Sequence, residues 1–172
     1  MTKRAVLLAS LFAAVNFWST VGGTAGAEES DTAALAAAMK TAKGTLHRAL
    51  IASQAHGTPI SAKFEIEDGK LQFSIYTMKG NDFMEIVADA KTGTIARLKE
   101  ITDAMDLNQA MEQKAAMAKA NVPLLTAAET AVSANAGSRA VSIVPKLKNG
   151  QATAEVTLLA GSTFKTVTVK LD

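Results

Sequence analysis

The chain has 172 residues, with 18 Lys and Arg against 16 Asp and Glu, no cysteine and 48% hydrophobic residues. This is the composition of a folding chain, which excludes a wholly disordered protein. The absence of cysteine excludes a disulfide scaffold, a thiolate zinc site, an iron–sulfur cluster and a cysteine nucleophile. The formal net charge of +2 is that of a slightly basic protein.

The first 27 residues have the parts of a secretory signal peptide. Lys3 and Arg4 form a basic start, Ala5–Val15 is an apolar run, and Ala25-Gly26-Ala27 is an A-x-A cleavage pattern. The run is shorter than the roughly 20 residues that span a bilayer. We therefore expect a cleaved, periplasmic or secreted protein without a membrane span. Cleavage before Glu28 leaves 145 residues with 16 bases and 16 acids, and a neutral chain with few aromatic residues is not expected to bind nucleic acid.

An internal repeat follows the signal peptide. A shift of 81 residues aligns 45–91 with 126–172 without a gap. The identical pairs are Thr45/Thr126, Ala55/Ala136, Ser61/Ser142, Gly69/Gly150, Gly80/Gly161 and Phe83/Phe164. Each copy begins with an expected helix, which Thr45 or Thr126 is predicted to cap, and Thr126–Glu129 matches a capping box. Asp68-Gly69 and Asn149-Gly150 predict tight hairpins, because both of their central residues accept positive φ.

Three strands with alternating apolar side chains follow each helix, and Thr94–Ile101 is expected to add a fourth strand to the first copy. The sequence therefore predicts an α+β protein of two tandem repeats, each a helix packed on a small antiparallel three- to four-stranded sheet. An alanine-rich helix is expected over Asp31–Lys43. The predicted organisation is a signal peptide (1–27), a first repeat (28–101), a linking helix (102–122) and a second repeat (123–172).

The first repeat resembles the PepSY domain. The resemblance covers Thr45–Ile95, with Phe64-Glu65-Ile66, Phe73-Ser74-Ile75-Tyr76 and Val87–Ile95 as its core. The second repeat looks like a degenerate copy. The resemblance implies a secreted or envelope-located, non-enzymatic module, since this family occurs in the propeptides of thermolysin-like peptidases and is associated with protease inhibition. It implies no catalytic residues.

The sequence has no pattern that indicates catalysis. His47 and His56 are nine positions apart, which places them on opposite sides of a helix. The chain has no G-x-S-x-G elbow, phosphate-binding loop or dinucleotide fingerprint. We therefore expect a protein that is not an enzyme and has no cofactor.

The strand face away from the expected core carries opposite charges in the two repeats. It has four acids and one base in the first repeat, and three bases and one acid in the second. Three interpretations stay open: two solvated faces, faces that attract each other or a partner, and a cation site. The candidate partner-binding residues are Glu65, Glu67, Tyr76, Glu85, Lys146, Lys148 and Lys170.

We expect an extracytoplasmic protein or peptide as the partner, with a peptidase as one candidate. An extended partner strand could add to an exposed edge such as Thr94–Ile101 or Thr163–Leu171, and a homodimer through such an edge is a further option. The alternative function is the binding of a hard metal ion, calcium or a lanthanide, which prefers several carboxylate oxygens. The candidate ligands for it are Glu65, Glu67, Asp68, Glu85 and Asp89.

Overall fold

The structure, a computed structural model, describes residues 25–172, and the side chains from Thr32 onward. Most of the predicted signal peptide, residues 1–24, lies outside this range, so its cleavage stays a prediction. Among the described residues, no helix is both long and apolar enough to cross a bilayer. The elements are α1 (Ala25–Met39), α2 (Leu46–Ser53), a 3₁₀ turn (Gln54–His56), β1 (Thr58–Glu67), β2 (Lys70–Lys79), β3 (Asp82–Asp89), β4 (Ile95–Glu100), α3 (Ala104–Met117), α4 (Leu124–Ser133), β5 (Arg139–Lys148), β6 (Gln151–Ala160) and β7 (Thr163–Lys170).

Both predicted hairpin turns are present. Asp68 and Gly69 have φ values of 50° and 71°, and Asn149 and Gly150 have φ values of 53° and 79°. Two successive residues with positive φ form the turn whose twist matches a pair of antiparallel strands. The turns join β1 to β2 and β5 to β6, and the register runs continuously from each turn to Ser61 in β1 and to Ser142 in β5.

The prediction of two separate small sheets is wrong. The seven strands form one antiparallel sheet in the order β4-β3-β2-β1-β5-β6-β7, and four helices complete the α+β fold. The two repeats join where Ala62 lies opposite Ile143 and Lys63 opposite Ser142. As separate sheets, each repeat would leave its first strand as an edge with unpaired backbone groups. The pairing of β1 with β5 places both strands inside one sheet and satisfies their backbone groups over the short paired stretch.

The internal repeat organises this sheet around a pseudo-twofold axis. The bounds of β5, β6 and β7 equal those of β1, β2 and β3 shifted by 81 residues, and the register shift in β1 at Pro59/Ser61 recurs in β5 at Ala140/Ser142. Ala62 and Ile143, which face each other at the join, are equivalent under the same shift. The pairing of β1 with β5 is short, and the strands separate on both sides of it.

One core serves both repeats. It lies on the sheet face covered by α2 and α4, here called the α2/α4 face, and these helices also contact each other. Thr45 caps α2 as predicted, because its hydroxyl accepts a hydrogen bond from the Arg48 N–H. The predicted capping box at Thr126 is wrong: α4 begins after Pro123, and Thr126 lies inside its first turns. Proline suits a helix start because its backbone is preset and it has no N–H to leave unpaired.

The opposite face of the sheet is partly covered by α3 and is called the α3 face below. Ala110 of α3 packs in a second cluster with Ile60, Tyr76, Phe83 and Ile101. The helix also contacts β1, β5 and β6, so it crosses the join between the repeats. This face therefore does not simply meet solvent, and the linking segment of the chain is part of the fold.

Arg139, at the start of β5, holds the end of α1. Its guanidinium donates hydrogen bonds to the carbonyl oxygens of Met39 (3.0 Å), Ala42 (3.3 Å) and Gly44 (2.7 Å). The last carbonyl groups of a helix have no partner within the helix, and a cation there is favourable. The predicted helix over Asp31–Lys43 is observed as Ala25–Met39.

Candidate functional site

Three of the predicted carboxylates of the first repeat, those of Glu65, Glu67 and Glu85, lie in a network of hydrogen bonds and ion pairs on the α3 face. Glu65 forms an ion pair with Lys63 (2.6 Å) and accepts hydrogen bonds from Gln72 (3.4 Å) and Ser74. Burial alone would raise the pKa of Glu65, but the charge of Lys63 and these hydrogen bonds hold it below its ordinary value. Glu65 is thus ionised and already paired.

Glu85 and Tyr76 form the buried part of this network. The Tyr76 hydroxyl donates to Glu85 Oε1 at 3.2 Å, and only 5% of Glu85 is exposed. Burial raises the pKa of Glu85, although the guanidinium of Arg97, 3.9 Å away, opposes the shift. Burial and the charge of Glu85 raise the pKa of Tyr76 above its ordinary value. These two predicted partner-binding residues are therefore inside the fold.

Arg97 is a basic residue that the sequence reasoning missed. It lies 3.8 Å from Glu67 and 3.9 Å from Glu85, and Lys99 stands opposite Glu85 in the pairing of β3 with β4. Both bases lie on the α3 face. The earlier count of four acids and one base covered only the first three strands, so this face of the first repeat is less acidic than that count indicated. Alternation along the predicted fourth strand indicates that Arg97 and Lys99 point to the same side of the sheet. Which side that is depends on the register between β4 and β3, which the sequence does not give.

The five candidate metal ligands are distributed over several parts of the first repeat. Asp68 forms a hairpin turn, and Asp89 accepts hydrogen bonds from the backbone N–H groups of Lys91 and Thr92. The hydrogen bonds from Thr92 lower the pKa of Asp89. Among the side chains that the structure describes, residues 32–172, no three His, Asp or Glu residues are grouped so that they could hold a metal ion. Calcium or lanthanide binding stays a prediction.

The predicted lysines of the second repeat lie near one end of its sheet. Lys146 on β5 forms an ion pair with Glu155 on β6 (2.6 Å). Lys146 and Lys170 lie on either side of Thr153, which pairs with both, and together they form a row across β5, β6 and β7. Lys148 and Lys170 are exposed. These side chains are well placed to meet an acidic partner.

A central groove of about 920 Å³ lies where β1 and β5 separate. Thr32, Ala34 and Leu35 of α1 line it, and α3 contributes Gln109, Glu112, Gln113 and Ala115. Its remaining lining comes from the strands and includes Lys63, Glu65, Tyr76, Val144, Pro145, Lys146, Glu155 and Phe164. Of the predicted partner-binding residues, Glu65, Tyr76 and Lys146 line the groove, whereas Glu67, Glu85, Lys148 and Lys170 do not.

The pseudo-twofold axis gives this groove its charge pattern. Glu65 and Lys146 occupy equivalent positions in the two repeats but have opposite charges. Each is neutralised within its own repeat, Glu65 by Lys63 and Lys146 by Glu155. The groove therefore combines ion-paired side chains with apolar ones such as Val144 and Phe164.

The two ends of the sheet are the predicted edge strands. β4 and β7 are its outermost strands, and most of their side chains are exposed. The outer side of an edge strand presents N–H and C=O groups that can pair with another extended chain. These edges are the second candidate contact surface.

Comparison with known proteins adds little to this description. No protein-family model matches the chain, and no curated protein matches it. A crystal structure of a candidate lipoprotein from Clostridium difficile 630 aligns with 71% of this chain and 82% of its own, at 15% sequence identity and a TM-score of 0.41. A likeness at this level supports no argument about fold or function.

Proposed function

We propose that this chain is an exported, non-enzymatic binding module of PepSY type that engages a segment of an extracytoplasmic protein. The observation that carries the proposal is the seven-stranded sheet, which ends on both sides in an exposed edge strand. Backbone pairing at such an edge supplies affinity, and side chains on alternate positions supply specificity. The signal-like residues 1–27 support the location.

An extracytoplasmic peptidase is the partner class that the resemblance favours. A PepSY-like chain that binds such an enzyme would act as a separate modulator, since this sequence carries no catalytic pattern of its own. Addition of the mature chain should then lower the activity of a thermolysin-like peptidase from the same envelope in a saturable manner. Unchanged activity at a large excess would contradict this part of the proposal.

Site-specific photo-crosslinking in the producing cell tests the binding function itself. A photoreactive residue would replace Ala96 in β4, Thr166 in β7 or Val144 in the central groove, one at a time. Ile51, which is exposed on α2, provides a control away from these surfaces. Adducts with an extracytoplasmic protein at an edge or groove position, and none at Ile51, are expected. The same adducts at all four positions, or at none, would refute the proposal.

A further inference from the structure

The two edge strands can be compared within the molecule, because β7 is the equivalent of β3. In the first repeat, β4 pairs with the outer side of β3 from Met84 to Ala88. The equivalent residues of β7 run from Lys165 to Val169, and no described strand pairs with their outer side. The first repeat thus shows which kind of segment fills this edge: an antiparallel strand.

Strand geometry indicates which backbone groups of β7 face outward. The two-residue turn at Gly161-Ser162 is closed by the pair Ala160/Thr163, and hydrogen-bonded pairs alternate from there. Phe164, Thr166 and Thr168 therefore direct their N–H and C=O groups away from β6. The first repeat supports this assignment, because the carbonyl group of Phe83, the equivalent of Phe164, accepts from the Ile101 N–H at 3.0 Å.

The side chains beside this edge define the chemistry of a complementary strand. Val167 and Val169 are half-buried against the shared core, on the side that α4 covers. Their equivalents in β3 stand opposite Leu98 and Ile95 of β4, so apolar residues suit these positions. Lys165 is equivalent to Met84, which stands opposite Glu100. A strand built like β4 would therefore place an acid opposite Lys165.

Charge and edge protection distinguish β7 from β4. The exposed Lys170 lies at the far end of β7 and favours a second acid in the partner, whereas Lys146 in the same row is already paired with Glu155. Charged residues and a bulge are the usual protection of an edge strand. β4 carries Arg97 and Lys99 and has a register shift against β3. β7 carries Lys165 and Lys170 towards its two ends, but it keeps an unbroken register with β6 and contains no proline.

From this comparison we infer that the outer edge of β7 binds an antiparallel extended segment of another protein, with apolar side chains opposite Val167 and Val169 and acids opposite Lys165 and Lys170. The inference rests on the proposed binding function and identifies its edge and the chemistry of its partner. Backbone pairing holds the segment, and the acids fix its register and direction.

A synthetic peptide tests this inference directly. The probe is an acetylated and amidated copy of residues 94–101 with Thr94→Glu, Arg97→Thr and Lys99→Thr, labelled with a fluorophore. In the register of β4 it places glutamates opposite Lys165 and Lys170. Fluorescence anisotropy with the mature chain should show saturable binding. A peptide with lysine in place of both glutamates should bind about tenfold more weakly, because two favourable exposed charge pairs become two repulsive ones.

Two changes remove the backbone pairing without disturbing the charges. Thr168→Pro deletes an outward N–H of β7 and spares the ladder to β6, so it should weaken probe binding at least tenfold. The matched control Leu98→Pro, on the outer side of β4, should leave binding unchanged. N-methylation of the probe at positions 99 and 101, whose N–H groups face β3 in the register of β4, should also abolish binding. This arm needs no variant that could fail to fold.

The outcomes separate this inference from the binding function. Absence of saturable probe binding, or binding that survives both Thr168→Pro and N-methylation, would overturn the inference. A dimer of the chain alone that Thr168→Pro dissociates, seen by light scattering, would also overturn it, because a second copy would then occupy the edge. Adducts at Ala96 or Val144 in the crosslinking experiment would leave the binding function standing in either case.

Discussion

Replacement of Arg139 by methionine tests how the structure holds α1 to the sheet. The guanidinium donates to the carbonyl oxygens of Met39, Ala42 and Gly44, and it lies 5.5 Å from the centre of the Phe64 ring. Arg139→Met keeps the apolar stem of the side chain and removes all of its donors. The end of α1 then loses these three hydrogen bonds to the second repeat and keeps its apolar contacts with the shared core.

The expected loss can be worked out from these contacts. Hydrogen bonds to charged groups contribute about 1.5–3 kcal/mol each, and the cation above the ring adds about 0.5–1 kcal/mol. Arg139 is half-buried, so water replaces part of the three bonds in the variant. Removal of the charge also relieves the cost of its partial burial, the same burial that lowers the pKa of Arg139. We expect a net loss of about 2–3 kcal/mol in the free energy of unfolding, which corresponds to the value of one to two such bonds.

Urea unfolding of the mature chain measures this loss. With a slope of about 1–3 kcal/mol/M, the midpoint should fall by about 1 M or more. Hydrogen exchange should accelerate most within residues 32–44. Lys165→Met is the matched control, because Lys165 makes a single exposed hydrogen bond to Asn135 (2.9 Å), and it should change stability by less than about 0.5 kcal/mol. A similarly small effect of Arg139→Met, or exchange that rises evenly over the chain, would refute the reasoning.

Three further predictions concern the fold and the carboxylates. Gly57→Ala should destabilise the chain by about 2 kcal/mol or more in urea unfolding, since φ is 147° and the new Cβ would lie 2.7 Å from the Met78 oxygen; Gly69→Ala, with φ of 71° and no atom within 4 Å, should lose less. Burial raises the pKa of Glu85 above 4.5, so stability should fall as pH rises through the interval between the unfolded and folded pKa values. Glu85→Gln should flatten that slope, and a slope unchanged from the parent chain would contradict the assignment. Calorimetric titration of the mature chain with Ca²⁺ and La³⁺ should show no site tighter than millimolar, because Glu65 and Glu85 already have partners. Micromolar binding that Glu85→Gln or Asp89→Asn abolishes would instead establish the metal-ion function.

The strands and hairpins of both repeats could be predicted because their signals are local. Asp68-Gly69 and Asn149-Gly150 specify turns through φ alone, and the strands on either side alternate in polarity. The resulting registers follow the 81-residue repeat closely. Hydrophobic alternation, however, indicates only which side of a strand is buried. It does not indicate which strands lie next to it in the sheet. The pattern in β1 is the same whether the strand is an edge or lies beside β5.

The helix that covers the second face of the sheet was not predicted, for a related reason. Tyr76 and Phe83 interrupted the polar phase of β2 and β3, and these aromatic side chains were the available signal for a covering element. The α3 helix supplies that cover with residues of modest hydrophobicity, Ala110 and Ala116 among them. Small side chains allow a helix to pack closely without leaving a strong apolar pattern in the sequence.

By itself, the sequence determined the repeat, its strands and turns, the neutral charge of residues 28–172 and the candidate carboxylates and lysines. Only the tertiary structure decided that two repeats share one sheet and one core, that Arg97 neutralises acids of β1 and β3, and that no strand among residues 25–172 pairs with the outer side of β7. The physical reason is how far apart along the chain the interacting residues lie. Turns and alternation depend on neighbouring residues, whereas strand order and charge pairing depend on which distant segments of the chain meet.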